Sequence, residues 1–432
     1  MFPVQAGLTL RQATVRVDLR RGLSPVLWTW LGSRLFVTVV AVVAARLAPR
    51  TRSERLLDAP SLTNPFGHTG LGRLLSPLAR WDAVHYLNIV HNGYGHTGPR
   101  DVRTAFFPLY PLVVNVASGF DASARAALAA SWAVSLAAFV GALYLLWRLV
   151  ELDLGSKVAT RTVVLLALFP TSFFFSAPYA ESLFLLLSVA AFYAARTGHW
   201  AWTGVLAAVA SAERPPGVLL AVPLVLIYLY GPRADRPPAV AADRGESWRD
   251  RLRPRHALRP DVLWIGLAPL GLVAYTAYLG IAIGEPLAWA HVETNSYMYR
   301  LIWPFTGFWN GVEAAGDGIG QLSQGTHAVL AQARVLGLVA LLLGAVATVG
   351  ALRRLPIAYG VYPLMALALA LTTQLRPEPL RSLTRYLVVV FPLFMWLAIV
   401  CERKLVRVPV LALWIAGLGV LTAQFASWRW IA

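Results

Sequence analysis

Eleven apolar segments separated by short polar ones constrain this chain more than any other feature of its sequence. They lie near 27–47, 124–149, 162–177, 181–195, 200–212, 217–230, 262–283, 329–351, 356–374, 384–401 and 408–425. A helix of about 20 apolar residues crosses a hydrocarbon core roughly 30 Å thick. The pattern predicts an all-α polytopic membrane protein, one integral membrane domain over residues 1–432 with about 11 transmembrane helices (about 10–12).

The composition supports the membrane class. Of the 432 residues, 57% are hydrophobic and 14% are charged, against roughly 25% charged residues in soluble domains. The net charge of +17 would suit a nucleic-acid-binding protein. Basic residues of membrane proteins, however, collect in short cytoplasmic loops, so we expect no nucleic-acid partner. The single cysteine, Cys401, excludes an intramolecular disulfide.

The charge distribution predicts the orientation. The apolar stretch 105–119 is short and contains Pro108 and Pro111, so we expect a re-entrant or juxtamembrane segment there. With a cytoplasmic N-terminus, the eight-arginine segment 231–260 becomes a cytoplasmic linker. Segments 48–119 and 285–328 then become extracytoplasmic loops. The arginine- and alanine-rich composition favours a bacterial plasma membrane.

The unusual polar sequences fall at span ends on the predicted outer face. They occupy 80–95, 100–111, 176–182, 212–217, 284–293 and 376–386. Charged residues at such positions are costly unless they face a cavity or pair with one another. A functional site is therefore predicted on the extracytoplasmic side; ordinary solvated loops are the alternative.

Asp82 is the strongest catalytic candidate. His85 follows it by three positions, which places both on one face of a helix. A carboxylate beside a histidine can act as a general base. The alternative is an interfacial helix in which Trp81 anchors at the headgroups and Asp82 caps the helix or pairs with Arg80. Metal binding is not expected, because the neighbouring histidines do not share one helix face.

Further charged residues extend the candidate site. Asp101 lies on the same predicted side and is either a second catalytic carboxylate or a solvated partner of Arg100 or Arg103. Arg381 and Arg385 are four positions apart, so one helix face could present both guanidinium groups to a phosphate.

Arg214, in another outer loop, is a further candidate for the phosphate contact. Anchoring of these arginines at lipid headgroups is the alternative.

In this order, the motifs resemble the PIG-V family of membrane mannosyltransferases. The resemblance covers about 80–395 and rests on Trp81-Asp82-Ala83-Val84-His85, Gly93-Tyr94, Asp101 before Ala105-Phe106-Phe107-Pro108, Ala177-Pro178-Tyr179-Ala180-Glu181-Ser182-Leu183-Phe184, and Arg385-Tyr386 before Phe391-Pro392.

The resemblance implies a GT-C type helical bundle and an inverting enzyme that uses a polyprenyl-phosphate sugar. It places the catalytic base at Asp82, with Asp101 and His85 beside it. It implies substrate-binding roles for residues in the shared motifs: Trp81, Tyr94, Tyr179, Glu181, Arg385 and Tyr386. Arg214 and Arg381 are substrate-binding candidates as possible phosphate contacts. The Arg214-Pro215-Pro216-Gly217 sequence departs from the more polar pattern expected of the family.

The sequence thus predicts a membrane glycosyltransferase, most specifically a mannosyltransferase. Its partners would be a polyprenyl-phosphate sugar donor, a lipid-linked or glycan acceptor and membrane lipids, with no cofactor and no required metal. The alternatives are a GT-C enzyme that moves arabinose or glucose, and a transporter or flippase of a lipid-linked substrate. Against the transporter, the charges gather at one membrane face and no internal repeat is evident.

Overall fold

The protein is helical along most of its length. The computed structural model describes residues 20–48, 51–94, 101–121, 123–236, 254–296, 298–324, 328–375 and 378–431. Within these ranges, four α-helices are long and apolar enough to cross a membrane: Leu23–Leu47, Ala124–Leu154, Ala328–Arg354 and Lys404–Ala426. A bent pair, Pro260–Leu267 with Leu270–Ile283 at 41°, is a fifth candidate.

Shorter elements fill the remaining described chain. The other α-helices are Arg52–Leu57, Pro60–Thr63, Gly70–Leu75, Asp82–Asn92, Leu109–Ala117, Ser156–Ala167, Glu181–Thr197, Trp200–Ser211, Ala221–Tyr230, Ala288–His291, Pro304–Ser323, Ile357–Thr372, Leu383–Val388 and Pro392–Val400. Single 3₁₀ turns occupy Ser76–Leu78, Val102–Ala105, Ser172–Ser176 and Pro215–Leu220, and a π turn occupies Val292–Ser296. Two short strands, Tyr299–Leu301 and Thr373–Leu375, pair antiparallel.

The helical membrane class is confirmed, but the count of about eleven spans is not. Several predicted segments are interrupted by proline, which lacks an N–H and clashes with the preceding helical turn. The segment 162–177 contains the end of the helix Ser156–Ala167, a break at Pro170 and a 3₁₀ turn. Similarly, the segment 384–401 is divided at Pro392. The stretch 105–119 contains a helix of only nine residues, as expected for a non-spanning segment.

The predicted outer loop 285–328 contains more regular structure than expected. A 20-residue helix, Pro304–Ser323, runs through it. Its buried positions are small residues at helical spacing: Gly307, Gly311, Ala315 and Gly318. Small side chains on one face allow close packing against neighbouring elements, and this pattern lacks the long apolar residues that signal a span. Of the predicted linker 231–260, residues 237–253 lie outside the described residues.

The helix breaks bring the outer-face motifs into the protein interior. The central helices Ala124–Leu154 and Glu181–Thr197 pack along each other. Between them and the helix Leu23–Leu47, the buried guanidinium of Arg34 donates to the carbonyl oxygens of Ala167 (2.9 Å) and Ser172 (2.7 Å). These carbonyls are freed where the helix ends, and burial would otherwise leave them without partners. Arg34 thus supplies hydrogen bonds to the carbonyl oxygens at this break, after which the next helix begins at Glu181.

Candidate active site

The helix Asp82–Asn92 begins at a turn that is held by a distant part of the chain. Trp81 has φ 56° and ψ −119°, a conformation that non-glycine residues rarely adopt. The buried Tyr179 hydroxyl donates to the Arg80 carbonyl oxygen (2.9 Å) and accepts the Asp82 backbone N–H (3.1 Å). Tyr179 therefore fixes the turn that presents the Asp82 carboxylate.

Two carboxylates and two arginines form a buried ion network, defined here as Asp82, Glu181, Arg214 and Arg385. Glu181 is fully buried, and its Oε1 accepts hydrogen bonds from both Arg214 and Arg385. Arg385 also donates from Nη1 to Asp82 Oδ2. The network is electrically balanced, as buried charges must be. Arg385 joins the two carboxylates and thereby sets the orientation of Asp82.

Asp82 retains one carboxylate oxygen for other contacts. Its side chain is 26% exposed, and within the described part of the chain no hydrogen bond reaches Oδ1. Burial alone would raise the pKa of Asp82, but the nearby cations, chiefly Arg385, hold that pKa below its usual value. The carboxylate is therefore ionised and has an acceptor oxygen available.

His85 lies on the same face of the helix as Asp82, as its spacing predicted. Its ring stacks on Phe106, with 4.7 Å between ring centroids. Burial lowers the pKa of His85, so the imidazole is neutral near pH 7. The side chain forms an aromatic wall beside Asp82.

Asp101 is engaged in loop structure. Its carboxylate accepts the Arg103 backbone N–H (2.8 Å) and pairs with the Arg103 guanidinium (2.9 Å), which also donates to the Gly93 carbonyl oxygen. These bonds lower the pKa of Asp101 against the opposing effect of burial. The geometry matches the alternative of an Arg103 ion pair, and a catalytic role for Asp101 stays a prediction.

Arg381 and Arg385 do not share a helix face, so that prediction was wrong. Ser382, between them, has φ 62°, and the helix Leu383–Val388 begins only after it. Arg385 points into the buried ion network, whereas the Arg381 guanidinium lies 4.5 Å from the ring centroid of Trp430. Arg214 is likewise bound to Glu181. A phosphate contact by Arg385 would require its present ion pairs to break.

The aromatic candidates have different surroundings. The Trp81 ring packs against Trp428 and Trp430, with centroids 5.6 and 4.8 Å away. Tyr94 is buried and donates its hydroxyl proton to the Phe106 carbonyl oxygen, which indicates a structural contact. Tyr386 is 40% exposed and lies within electrostatic range of the buried ion network.

Two further acidic residues were not singled out from the sequence. Glu293 lies in the π turn Val292–Ser296, and π turns are frequent at functional sites. Burial and the nearby Asp82 charge raise the pKa of Glu293 to about 7. Glu213 is buried beside Arg214. Glu293 is the last residue of the polar sequence 284–293, and this position was the only signal in the sequence that could have identified it. Its proximity to Asp82 arises from the fold.

The fold and the site together define a helical membrane protein with an ionised carboxylate at the edge of a buried ion network. Residues 26–227 match the family model described as Mannosyltransferase (PIG-V). The PIG-V resemblance predicted from the motifs is confirmed over this range. The predicted motifs Arg385-Tyr386 and Phe391-Pro392 lie beyond the matched residues. The matched region includes Asp82, Tyr179, Glu181 and Arg214.

The similar curated proteins are named mannosyltransferases. "GPI alpha-1,6-mannosyltransferase 2" of Rattus norvegicus is 29% identical over 182 residues, 40% of this chain and 33% of its own length. "GPI mannosyltransferase 2" of Cryptococcus neoformans is 27% identical over 211 residues, 46% of this chain and 48% of its own length. The chain thus spans about a third to a half of these relatives.

The fold also has a likeness among solved structures. An oligosaccharyltransferase from Archaeoglobus fulgidus aligns over 91% of this chain and 53% of its own, with a TM-score of 0.45 and 15% identity.

Proposed function

We propose that this protein is a membrane mannosyltransferase that uses a polyprenyl-phosphate sugar donor and a lipid-linked or glycan acceptor. Transfer takes place on the extracytoplasmic face and inverts the anomeric carbon, with Asp82 as the general base. The observation that carries the proposal is the Asp82 carboxylate itself. One oxygen is held by Arg385, the other is unbonded within the described residues, and the group is ionised.

Sugar transfer requires one group that takes the proton from the hydroxyl of the acceptor substrate. The acceptor hydroxyl oxygen forms a bond to the anomeric carbon while the bond from that carbon to the donor phosphate oxygen breaks. The hydroxyl proton passes to Asp82 Oδ1, and the bonding electrons leave with the lipid phosphate. A positioned carboxylate contributes to such a step by accepting the proton as the new bond forms.

The surroundings of Asp82 favour this role over a purely structural one. Tyr179 fixes the backbone of Asp82 and Arg385 fixes its side chain. A general base needs such a fixed position relative to the hydroxyl group of the substrate. The low pKa means that the carboxylate is present in its proton-accepting form. It also means that proton transfer is driven by donor cleavage more than by the basicity of Asp82.

The Asp82→Asn variant tests the assignment, because it keeps the size of the side chain but removes its capacity to accept a proton. We expect activity to fall by roughly 10²–10⁴-fold. Purified protein would be assayed for sugar transfer from polyprenyl-phosphomannose to an acceptor extract, with arabinose and glucose donors in parallel. Asp82→Glu should recover little, because the added methylene displaces the carboxylate.

Asp317→Asn is the matched control, since Asp317 is exposed on the helix Pro304–Ser323. Thermal unfolding of each variant separates lost chemistry from lost folding. If Asp82→Asn kept a third of wild-type turnover or more, Asp82 would not be the base. If the wild type transferred none of the three sugars, the proposed function itself would be wrong.

A further inference from the structure

Large apolar side chains are exposed where the predicted outer loop 285–328 enters the helix Pro304–Ser323. Residues 301–309 are defined here as the apolar tip. Its most exposed side chains are Phe305 (87%), Leu301 (84%), Trp303 (77%) and Trp309 (60%). A contiguous apolar patch of this kind marks contact with a partner or with a membrane. The neighbouring helices show at which depth in the membrane the apolar tip lies.

The exposed side of the helix changes in character along its axis. Its first two turns expose Phe305 and Trp309, whereas Glu313 and Asp317 are exposed further along. Exposed carboxylates are costly in hydrocarbon, so this helix does not cross the bilayer along its whole length. Its first turns suit acyl chains, and its later turns suit water or headgroups.

The helix Ala328–Arg354 provides a scale of depth, because it is long and apolar enough to span the membrane. Residues 335–352 within it carry no charge. These eighteen residues rise about 27 Å, which is close to the roughly 30 Å thickness of the hydrocarbon core. Arg334 and Arg353, on either side of this uncharged stretch, therefore lie at the two boundaries of the hydrocarbon.

The helix that follows the apolar tip packs antiparallel against this scale. A methyl group at Gly318 would lie 2.8 Å from the Ala331 carbonyl oxygen. Methyl groups at Gly311 and at Gly337 would both meet the Leu380 side chain, at 2.7 and 3.0 Å. Gly318 is thus level with Ala331, outside the uncharged stretch, and Gly311 is close to the level of Gly337, inside it. The apolar tip lies further in the same direction, in the hydrocarbon.

A second helix gives the same depth. Ile357–Thr372 begins just after Arg354, and its 16 residues rise about 24 Å. Its last turn therefore lies inside the far boundary of the hydrocarbon core. A methyl group at Gly307 would collide with the Leu371 carbonyl oxygen in this turn. The strand that enters the apolar tip also pairs with Thr373–Leu375, directly after the same helix.

We propose that the apolar tip is inserted among the acyl chains of the leaflet on the side of the candidate active site. The helix Pro304–Ser323 then rises from the hydrocarbon into water at an incline. Phenylalanine is favourable in hydrocarbon, and tryptophan is favourable at the membrane interface. The predicted loop 285–328 thus contains a membrane anchor that is not a span. This inference does not depend on the proposed function.

The apolar tip is joined to the candidate active site through the turn that contains Leu380. Gly311 packs on Leu380, and the Gln374 side chain donates to the Gly307 carbonyl oxygen (2.7 Å). Arg385, a member of the buried ion network, follows soon after this turn. A tip fixed in the leaflet would therefore hold the buried ion network at a constant height relative to the membrane.

Nitroxide labels on single cysteines test the proposal in the purified full chain, reconstituted into phosphatidylcholine vesicles. In a Cys401→Ser background, the labelled variants are Phe305→Cys, Trp309→Cys, Ile319→Cys and Leu343→Cys. The four side chains are exposed, and thermal unfolding checks that each variant is folded. Leu343 is the hydrocarbon reference, because it lies near the middle of the uncharged stretch. Electron paramagnetic resonance measures collisions with O₂, which concentrates in hydrocarbon, and with a nickel chelate, which stays in water.

Oxygen collisions should dominate at positions 305 and 309, as at position 343, and nickel collisions should dominate at position 319. Phe305 and Ile319 face the same side of the helix, close to four full turns and about 21 Å apart along its axis. Equal depth at these two positions would mean that the helix lies flat in the interface, which would overturn the inclined insertion. Nickel collisions dominant at position 305 would mean that water surrounds the tip, and exclusion of both reagents would mean that protein covers it. Either result would also overturn the proposal.

Discussion

At the scale of single residues, Glu181 is the carboxylate of the buried ion network that pairs with two arginines. One of its oxygens accepts from two arginines, and the side chain is fully buried. A buried ion pair contributes little net stability compared with apolar packing, but removal of one partner leaves an uncompensated charge. Glu181 therefore stabilises Arg214 and Arg385 in place and, through Arg385, orients Asp82.

Glu181→Gln should destabilise the protein by about 3–5 kcal/mol, because two buried arginines would then face each other with less opposing charge. Thermal unfolding of the purified protein in detergent measures the change. Glu313→Gln is the control, since Glu313 is exposed on the helix Pro304–Ser323. Equal unfolding temperatures for the two variants would contradict the assigned role of Glu181.

Glu293 should make stability depend on pH. Its pKa is raised to about 7 in the folded protein, against roughly 4.3 in an unfolded chain. Between these values the folded state binds the proton more tightly, so stability is complete below about pH 4 and declines as pH rises through 7.

The groups near Glu293 include Asp82, Tyr299 and Tyr386, with Arg103 and Arg300 on elements packed against its turn. Glu293→Gln is neutral at every pH. The unfolding temperature of the wild type should therefore fall relative to that of the variant between pH 5 and 8. A constant difference across this range would contradict the raised pKa.

At the scale of secondary-structure elements, helix breaks place the charged residues. Glu181 starts a helix just after Pro178, and Arg214 precedes Pro215. Arg385 lies in a six-residue helix that follows Ser382. Irregular backbone at membrane depth is tolerated only where protein or a cavity surrounds it. The breaks that reduce the number of unbroken spans therefore also position the buried ion network.

Close crossing of these elements gives a second test. A methyl group at Gly204 would lie 1.9 Å from the Trp264 carbonyl oxygen on the crossing turn Pro260–Leu267. Gly204→Ala should therefore destabilise the protein by about 1–3 kcal/mol. Gly266→Ala, on the same crossing turn, has open space around it and should be close to neutral. Thermal unfolding compares them, and equal stability would show that the crossing is looser than the structure indicates.

At the scale of the whole molecule, the membrane orientation follows from charge and stays a prediction. Within the described residues, four long apolar helices, or five if the bent pair is one span, are candidates to cross the bilayer. The basic segment 231–260 is expected on the cytoplasmic side, and the loop 48–119 that contains Asp82 on the other.

Single cysteines at positions 61 and 247, in a Cys401→Ser background, test this orientation in intact cells. Ser61 is exposed, and Cys401 is buried. An impermeant thiol reagent should label position 61 and leave position 247 unlabelled until the membrane is permeabilised. The reverse pattern would place the candidate active site on the cytoplasmic side.

The sequence alone was sufficient for features that depend on local composition and spacing. It predicted the helical membrane class, the non-spanning stretch 105–119, and a shared helix face for Asp82 and His85. The Arg381–Arg385 prediction failed for a local reason as well. The prediction assumed that one helix continues through Ser382, but the left-handed conformation of Ser382 interrupts it.

Only the tertiary structure determined which charged residues form ion pairs with one another. Arg385 bonds to Asp82 across 303 positions and to Glu181 across 204, and no periodicity carries information over such distances. The pairing arises because buried charges must find counter-charges wherever the packed helices bring them.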